Sequence, residues 1–208
     1  FMGPTRGDAG SFSFPPDTCG AIGPNHFVSV VNTTFSVYER NTGNRVALMT
    51  LNSFFSPFGT GGDPRVLFDQ YSGRWVAIST NFSGGEQIQL AVSHPDDPTG
   101  MWFKTEFATD QGSDSGCWPD YPTLGVNQDG IYVTTFMVSC GMTVFAIDKA
   151  PLIAPSPSLG TITAFRGLSF TGAIQPVHTY GGEPDEYLID RRTSASLRIR
   201  RVQGPLTS

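Results

Sequence analysis

The feature that most constrains the fold of this chain is a strand-and-turn rhythm that repeats along nearly the whole sequence. The clearest unit has four segments of β-strand character, at residues 65–69, 74–80, 87–93 and 101–107, separated by turn signals rich in Gly, Pro, Asp and Asn. Short connections between consecutive strands are typical of an antiparallel meander. The same pattern returns at residues 122–126, 131–138, 142–148 and 161–165.

Two further meanders flank this pair. One comprises residues 20–23, 26–31, 34–39 and 45–51, and the last has only three strands, at 177–180, 186–190 and 196–202. The four units open at Asp17, Asp63, Asp120 and Gln175, which are 46, 57 and 55 residues apart. This spacing is close to the length of propeller blades. A β-sandwich also uses many short strands, but it does not require four similar meanders in a row.

The sequence therefore predicts an all-β fold, a β-propeller built of four-stranded antiparallel meander blades. We expect a single domain over residues 1–208, with about four blades near 17–52, 63–108, 120–166 and 175–204. Two interpretations of the incomplete last blade stay open: residues 11–14 supply its missing strand, or further blades of a larger propeller follow Ser208. The second is favoured, because residues 204–208 have the pattern of a turn entering another strand.

Composition narrows the function classes. The net charge is −5 and charged residues make up 15% of the chain, which argues against disorder and against non-specific nucleic-acid binding. No run of about 18 apolar residues is present, so no membrane span is predicted. The chain has no nucleophile elbow, no phosphate loop and no spacing typical of zinc ligands.

Several segments are distinctive enough to compare with known proteins. They are Pro-Pro-Asp-Thr-Cys-Gly-Ala-Ile-Gly-Pro-Asn-His at residues 15–26, residues 63–70 with 73–76, residues 120–122 with 130–133, and residues 175–180. These segments resemble a group of secreted bacterial β-propeller-like proteins over about residues 15–205. The resemblance implies a propeller fold and export to the periplasm or the extracellular space, and it implies no catalytic residues. Cys19 departs from it, because a polar residue such as Asn is expected there.

Asp17, Asp63 and Asp120 are candidate site residues because each precedes a first strand. If the first strands line a central channel, the three carboxylates meet at one mouth of it. Converging carboxylates raise a pKa or recruit a cation, and calcium suits such a set of oxygen ligands. Two carboxylates could instead serve a glycoside hydrolase as acid and as nucleophile or base. The favoured interpretation has no site: each Asp closes a tight turn with its own side chain.

Trp118 and Tyr121 flank Asp120 beside the acidic, glycine-rich residues 110–116. An aromatic ring beside carboxylates on an exposed loop can stack on a sugar ring, so both are candidate ligand-binding residues, together with His178 near the channel. Packing of Trp118 between blades and a hydrogen-bonded core position for His178 are the favoured alternatives. Arginines also crowd the C-terminal segment, where they either grip an anionic partner or, as is favoured, guard an exposed strand edge: Arg191, Arg192, Arg198, Arg200 and Arg201.

The three cysteines predict one disulfide bond, between Cys117 and Cys140, with Cys19 outside it. A hairpin about residues 127–130 places residues whose numbers sum to 257 opposite each other, and Cys117 and Cys140 continue that series. A bulge near residues 117–119 would shift the register. Since disulfides persist outside a reducing cytosol, the bond would support export.

Three functions stay open. The preferred one is an extracytoplasmic propeller that acts as a binding or structural module for a polysaccharide or a protein partner. The second is a carbohydrate-active hydrolase or lyase that uses the channel-mouth carboxylates. The third is a scaffold subunit of a larger extracellular assembly. The predicted scaffold comes without a recognisable catalytic set, which favours binding over catalysis.

Overall fold

The structure, a computed structural model, describes residues 3–10, 13–81, 83, 85–204 and 206. Strands dominate the described residues, and the helices among them are too short to cross a membrane. The chain divides into two compact units, residues 1–108 and residues 109–208. Each unit contains two antiparallel sheets.

The first unit holds two four-stranded sheets, each in simple chain order. The first sheet consists of β1 (Cys19–Ile22), β2 (His26–Val31), β3 (Thr34–Glu39) and β4 (Arg45–Thr50). The second consists of β5 (Gly61–Asp69), β6 (Arg74–Asn81), β7 (Gln87–His94) and β8 (Met101–Ala108). The first strands of the two sheets, β1 and β5, lie side by side.

A short helix that the sequence did not predict separates these two sheets. Helix α1 (Leu51–Phe55) begins where a strand over residues 45–51 was expected to end. It starts there because the Thr50 hydroxyl accepts a hydrogen bond from the Ser53 backbone N–H, at 3.1 Å, which caps the helix. Phe54 of α1 stacks on Phe35 of β3 with ring centroids 4.1 Å apart, so the helix joins the core of this unit.

The second unit holds a four-stranded and a three-stranded sheet. The first consists of β9 (Pro119–Val126), β10 (Gly130–Met137), β11 (Gly141–Asp148) and β12 (Ile162–Leu168). The second consists of β13 (Gln175–Pro176), β14 (Glu186–Thr193) and β15 (Ser196–Val202). The two sheets meet along their first strands: the Thr123 hydroxyl donates to the Ile174 carbonyl at 2.6 Å, and Val126 forms a parallel bridge with His178.

The predicted all-β architecture of four-stranded meanders with an incomplete last sheet is confirmed. Two expectations about the missing strand involve residues that the structure does not describe. The proposed strand at 11–14 includes Ser11 and Phe12, and the proposed turn at 204–208 includes Pro205, Thr207 and Ser208, all of which lie outside the described residues.

Short polar turns determine where the strands end. The Asp69 carboxylate accepts hydrogen bonds from the Tyr71 N–H at 3.0 Å and the Ser72 hydroxyl at 2.5 Å, and Gly73 follows with a φ of 68°. The Asn127 side chain likewise accepts from the Gly130 N–H at 2.8 Å. Asp and Asn are common in turns because their side chains can satisfy the backbone N–H groups there.

The predicted disulfide bond is present, and the register around it differs from the expected one. Cys117 and Cys140 are bonded, with Cα atoms 6.2 Å apart, while Cys19 is a free thiol. The predicted pairing holds for residues 126 with 131 and 123 with 134, after which a bulge pairs residue 136 with 120. The bond forms despite the bulge because Cys117 and Cys140 both lie just outside the paired strands.

Candidate functional site

The openings of the three complete sheets share one backbone feature, a left-handed residue, which in β5 and β9 lies within a β-bulge. The register shifts by one residue between Gly62 and Arg65 in β5, and again in β9 opposite residues 134–136. The left-handed residues are Asp17 (φ 41°), Asp63 (φ 49°) and Tyr121 (φ 46°). Bulges of this kind re-aim side chains and are over-represented next to active sites.

This geometry corrects the correspondence among the three predicted aspartates. Each left-handed residue lies two positions before a regularly paired residue: Cys19 after Asp17, Arg65 after Asp63, and Thr123 after Tyr121. Tyr121, rather than Asp120, therefore occupies the position equivalent to Asp17 and Asp63. Asp and Asn tolerate the left-handed conformation better than other non-glycine residues, so a tyrosine there is unusual.

Asp17 and the opening of β5 are linked through one amide side chain. The Asn32 side-chain nitrogen donates to the Asp17 carboxylate at 2.5 Å, and its side-chain oxygen accepts from the Asp63 N–H at 2.7 Å. Asn32 also lines a pocket of about 650 Å³ in this unit, together with Thr18 and Phe27. The structure thus brings the starts of the first and second sheets, at Asp17 and Asp63, together around Asn32.

The candidate metal site has no gathered ligand set in the described part of the chain. No group of three or more His, Cys, Asp or Glu side chains among those residues is arranged to hold a metal ion. Asp17 is instead engaged by Asn32, and Asp63 is buried in the first unit. Calcium binding by Asp17, Asp63 and Asp120 remains a prediction.

Trp118 lies on the surface of the second unit, and a hydrogen bond and a neighbouring disulfide bond fix the backbone around it. Its carbonyl accepts a hydrogen bond from the Val138 N–H at 2.8 Å, and the neighbouring Cys117 is bonded to Cys140. Pro119, on its other side, is buried. The Trp118 side chain is nevertheless 36% exposed, so part of the indole ring is presented to solvent from a fixed position.

Asp120 and Tyr121 follow at the bulge. The Asp120 carbonyl accepts from the Thr135 hydroxyl at 2.9 Å, which ties the bulge to β10. Tyr121 is 48% exposed. A left-handed conformation costs a non-glycine residue roughly 1–2 kcal/mol, and such costs are concentrated at functional sites. An exposed tyrosine held in this conformation is therefore a stronger site candidate than its sequence position alone indicated.

Two further aromatic residues, which the sequence analysis did not select, lie at the same end of the sheet. Phe136 is the strand partner of Asp120, and its ring stacks on Phe170 with centroids 4.2 Å apart. Phe170 is 55% exposed and belongs to the segment that leads from β12 to β13. The proximity of Phe136 and Phe170 to Asp120 is evident only from the register between β9 and β10. We refer to Trp118, Asp120, Tyr121, Phe136 and Phe170 as the aromatic edge.

A buried ion pair anchors the loop that leads into the aromatic edge. Asp114 is fully buried, and one of its carboxylate oxygens accepts from Thr143 and from Arg166, both at 2.6 Å. Arg166 also donates to the Thr109 carbonyl at 2.6 Å. This loop is therefore fixed at its start by Arg166, in its middle by Asp114 and at its end by the disulfide bond.

His178 does not join the aromatic edge. It bridges to Val126 at the far end of β9, and its ring stacks on Tyr180 with centroids 4.5 Å apart. Tyr121 and Val126 are five residues apart on one strand, which corresponds to about 16 Å at the usual rise of a β-strand. The predicted ligand-binding residues thus lie at two ends of β9, with Trp118 and Tyr121 at one end and His178 at the other.

A buried polar cluster, also missed by the sequence analysis, lies near that second end. Glu186 is completely buried, and neither carboxylate oxygen has a hydrogen bond of normal geometry among the described residues. Burial raises its pKa to about 8, although the Val177 backbone and the Thr179 hydroxyl oppose the shift. Lys149 is buried nearby in the same unit, with its ammonium group 2.6 Å from the Asn127 carbonyl. Lys149 and Tyr132 line a pocket of about 340 Å³.

Comparison with known proteins gives matches of fold but not of sequence. No family model matches the chain, and no curated protein matches it. Solved structures do match. A DUF4623 family protein from Bacteroides eggerthii aligns with a TM-score of 0.58 and 11% identity, over 91% of this chain and 43% of that protein.

Two carbohydrate-active enzymes align similarly. An α-L-arabinofuranosidase from Podospora anserina, solved in complex with cellotriose, gives a TM-score of 0.52 and 10% identity over 96% of this chain and 66% of that one. An exo-β-1,3-galactanase from Phanerochaete chrysosporium, solved with β-1,3-galactotriose, gives a TM-score of 0.51 and 13% identity over 96% of this chain and 50% of that one. The fold is a β-propeller. The chain spans between 43% and 66% of the length of these three structures, and identities this low show a shared fold alone.

Proposed function

We propose that the chain is an extracytoplasmic β-propeller module that binds a polysaccharide at the aromatic edge. The observation that carries the proposal is the pair of exposed aromatic side chains, Trp118 and Tyr121, on either side of Asp120 at a bulge. Aromatic rings cover the apolar faces of sugar rings, while a carboxylate accepts hydrogen bonds from sugar hydroxyls. Two of the propellers with the same fold were solved with oligosaccharides, which supports carbohydrate as the ligand class.

Export is part of the proposal. The Cys117–Cys140 bond is expected to persist only in an oxidising compartment, such as the periplasm or the extracellular space. Trp118 is the residue next to Cys117. Reduction of the bond would therefore remove one of the constraints on the backbone that presents Trp118.

The proposal is tested by the affinity of the 208-residue chain for oligosaccharides, with cellotriose and β-1,3-galactotriose as first probes and the corresponding polymers in affinity gels. Alanine at Trp118 or Tyr121 is expected to weaken binding about tenfold or more, because an aromatic ring stacked on a ligand contributes on the order of 1–3 kcal/mol. Phe165→Ala is the matched control, since Phe165 is a 40% exposed aromatic residue on β12, outside the aromatic edge. Equal loss in all three variants, or binding that none of them changes, would show that the aromatic edge is not the site.

A hydrolase is the second candidate, and the arrangement around Asn32 favours it. Asn32 holds the Asp17 carboxylate and lines the pocket of about 650 Å³ in the first unit. An enzyme using this pocket would release new reducing ends from a polysaccharide, and Asp17→Asn would abolish the release without affecting binding at the aromatic edge. Binding without any release of reducing ends would favour the binding module.

A further inference from the structure

An exposed arginine lies next to the aromatic edge, on the side of Phe170. Arg191 is near the end of β14, an inner strand that has β13 on one side and β15 on the other. Its Nε donates a hydrogen bond to the Thr171 carbonyl at 2.9 Å, and the Thr171 hydroxyl donates to the Arg191 carbonyl. Because Thr171 directly follows Phe170, the Arg191 side chain lies beside the aromatic edge.

The segment between β12 and β13, which carries Phe170, is held against the neighbouring sheet. The hydroxyl groups of Thr123 in β9 and Thr134 in β10 both donate to the Ile174 carbonyl at the end of this segment. At its other end, Phe170 stacks on a residue of β10. These contacts fix the place of Arg191 relative to the aromatic edge, and they do not involve the open side of β15.

Arg191 has no carboxylate partner among the described residues. The ion pairs of other arginines in this unit use the carboxylates of Asp114, Asp185 and Asp190. The Nε–H of Arg191 is engaged by Thr171, and no described residue bonds to either of its terminal nitrogens. A guanidinium group in this state presents two N–H donors that match the two oxygens of a carboxylate.

The aromatic edge thus has groups of opposite charge beside its two phenylalanine rings. The contacts run from Asp120 to its strand partner Phe136, from there to Phe170, and then through Thr171 to Arg191. A carboxylate accepts hydrogen bonds from the hydroxyl groups of a neutral sugar, whereas a guanidinium group pairs with the carboxylate of an acidic one. This surface therefore suits a polymer that contains both neutral and acidic sugars.

We infer, on the basis of the polysaccharide binding proposed above, that the ligand of the aromatic edge is an acidic polysaccharide and that Arg191 binds the carboxylate of a uronic acid residue in it. Neutral sugars of the same polymer cover Trp118 and Tyr121 and donate to Asp120. The chain as a whole has a net charge of −5, so its overall charge does not attract an acidic polymer. The preference for an acidic ligand therefore depends on Arg191.

The test compares trisaccharides that differ in a single carboxylate. Cellotriose is paired with the trisaccharide whose non-reducing terminal glucose is replaced by glucuronic acid, and β-1,3-galactotriose with the one that ends in galacturonic acid. Isothermal titration calorimetry measures their affinities for the 208-residue chain. We expect the acidic member of a pair to bind about tenfold or more tightly at low salt, because its hydrogen bonds with Arg191 are charge-assisted. The difference should shrink at about 0.5 M salt, since salt screens exposed charges.

Two variants test whether Arg191 is the partner of the carboxylate. Arg191→Gln should remove most of the preference for the acidic trisaccharide. Arg192→Gln is the matched control, because Arg192 is the next residue, is also exposed, and its replacement changes the net charge by the same amount. Equal loss of the preference in both variants would show a general effect of charge. Since both arginines are exposed, the variants are expected to fold, and the comparison of trisaccharides on the unchanged chain needs no variant.

The outcomes separate this inference from the proposed function on which it rests. If the neutral trisaccharide binds as tightly as its acidic counterpart, the inference is wrong, while polysaccharide binding at the aromatic edge stands. If the acidic trisaccharide is preferred and Arg191→Gln keeps that preference, Arg191 does not bind the uronic acid and the inference is also wrong. If neither the trisaccharides nor the polymers bind, the proposed function itself fails.

Discussion

At the scale of single residues, Glu186 illustrates how burial alone changes the chemistry of a side chain. Its carboxyl group is fully buried and its pKa is raised to about 8 by desolvation. Desolvation disfavours the charged carboxylate, so the folded protein keeps the group protonated at neutral pH.

This protonation predicts a stability that falls as the pH rises. The unfolded chain releases the Glu186 proton near pH 4.5 and the folded chain near pH 8, so between these values the folded state binds more protons. The free energy of unfolding should decrease across that window, by up to about 1.4 kcal/mol per pH unit. Urea unfolding at several pH values measures the slope, and Glu186→Gln should flatten it. A slope that is the same in both chains would contradict the assigned pKa.

The finding that Tyr121, rather than Asp120, is equivalent to Asp17 and Asp63 also concerns single residues. The sequence identified the right segment, because Trp118, Asp120 and Tyr121 were all selected from it. It placed the wrong residue at the position equivalent to Asp17 and Asp63, since the bulge that fixes the position depends on pairing with β10. The stacking of Phe170 on Phe136 depends on the same pairing and has no signal in the local sequence.

At the scale of elements, most strands could be predicted because polar turns mark their ends. The second sheet was expected at residues 65–69, 74–80, 87–93 and 101–107, and β6, β7 and β8 differ from this by one residue each. Helix α1 was missed because its five residues are too few to show a helical period. The strand expected at 177–180 does not form: β13 covers Gln175–Pro176 instead, and His178 makes an isolated parallel bridge with Val126.

The disulfide bond gives the clearest prediction for an element. It joins Cys117 and Cys140 at a sequence separation of 23, and the entropy of a loop of this size corresponds to about 3 kcal/mol. The double variant with serine at both positions should lose roughly that much free energy of unfolding, measured by chemical denaturation. Cys19→Ser is the control and should change stability little, because Cys19 forms no disulfide bond. Equal stability of the double variant and the unchanged chain would contradict a structural role for the bond.

At the scale of the whole molecule, the repeat of meanders was sufficient to predict the fold class, because four similar units in a row have few other solutions. The function of the protein could not be predicted from the sequence to the same extent as its fold class. The propeller fold is shared with glycosidases, but identities of 10–13% do not transfer catalytic residues. The polysaccharide proposal therefore depends on one surface, the aromatic edge, and on Trp118 in particular.

The most direct test of that proposal follows the indole N–H signals of the three tryptophans by NMR while an oligosaccharide is added. The Trp75 indole donates to the Asp96 carbonyl at 2.8 Å and the Trp102 indole to the Pro98 carbonyl at 3.1 Å, so both serve as internal controls. Binding at the aromatic edge predicts that the Trp118 signal shifts in a saturable manner while the other two stay in place. A bound oligosaccharide that leaves the Trp118 signal unchanged would contradict the account.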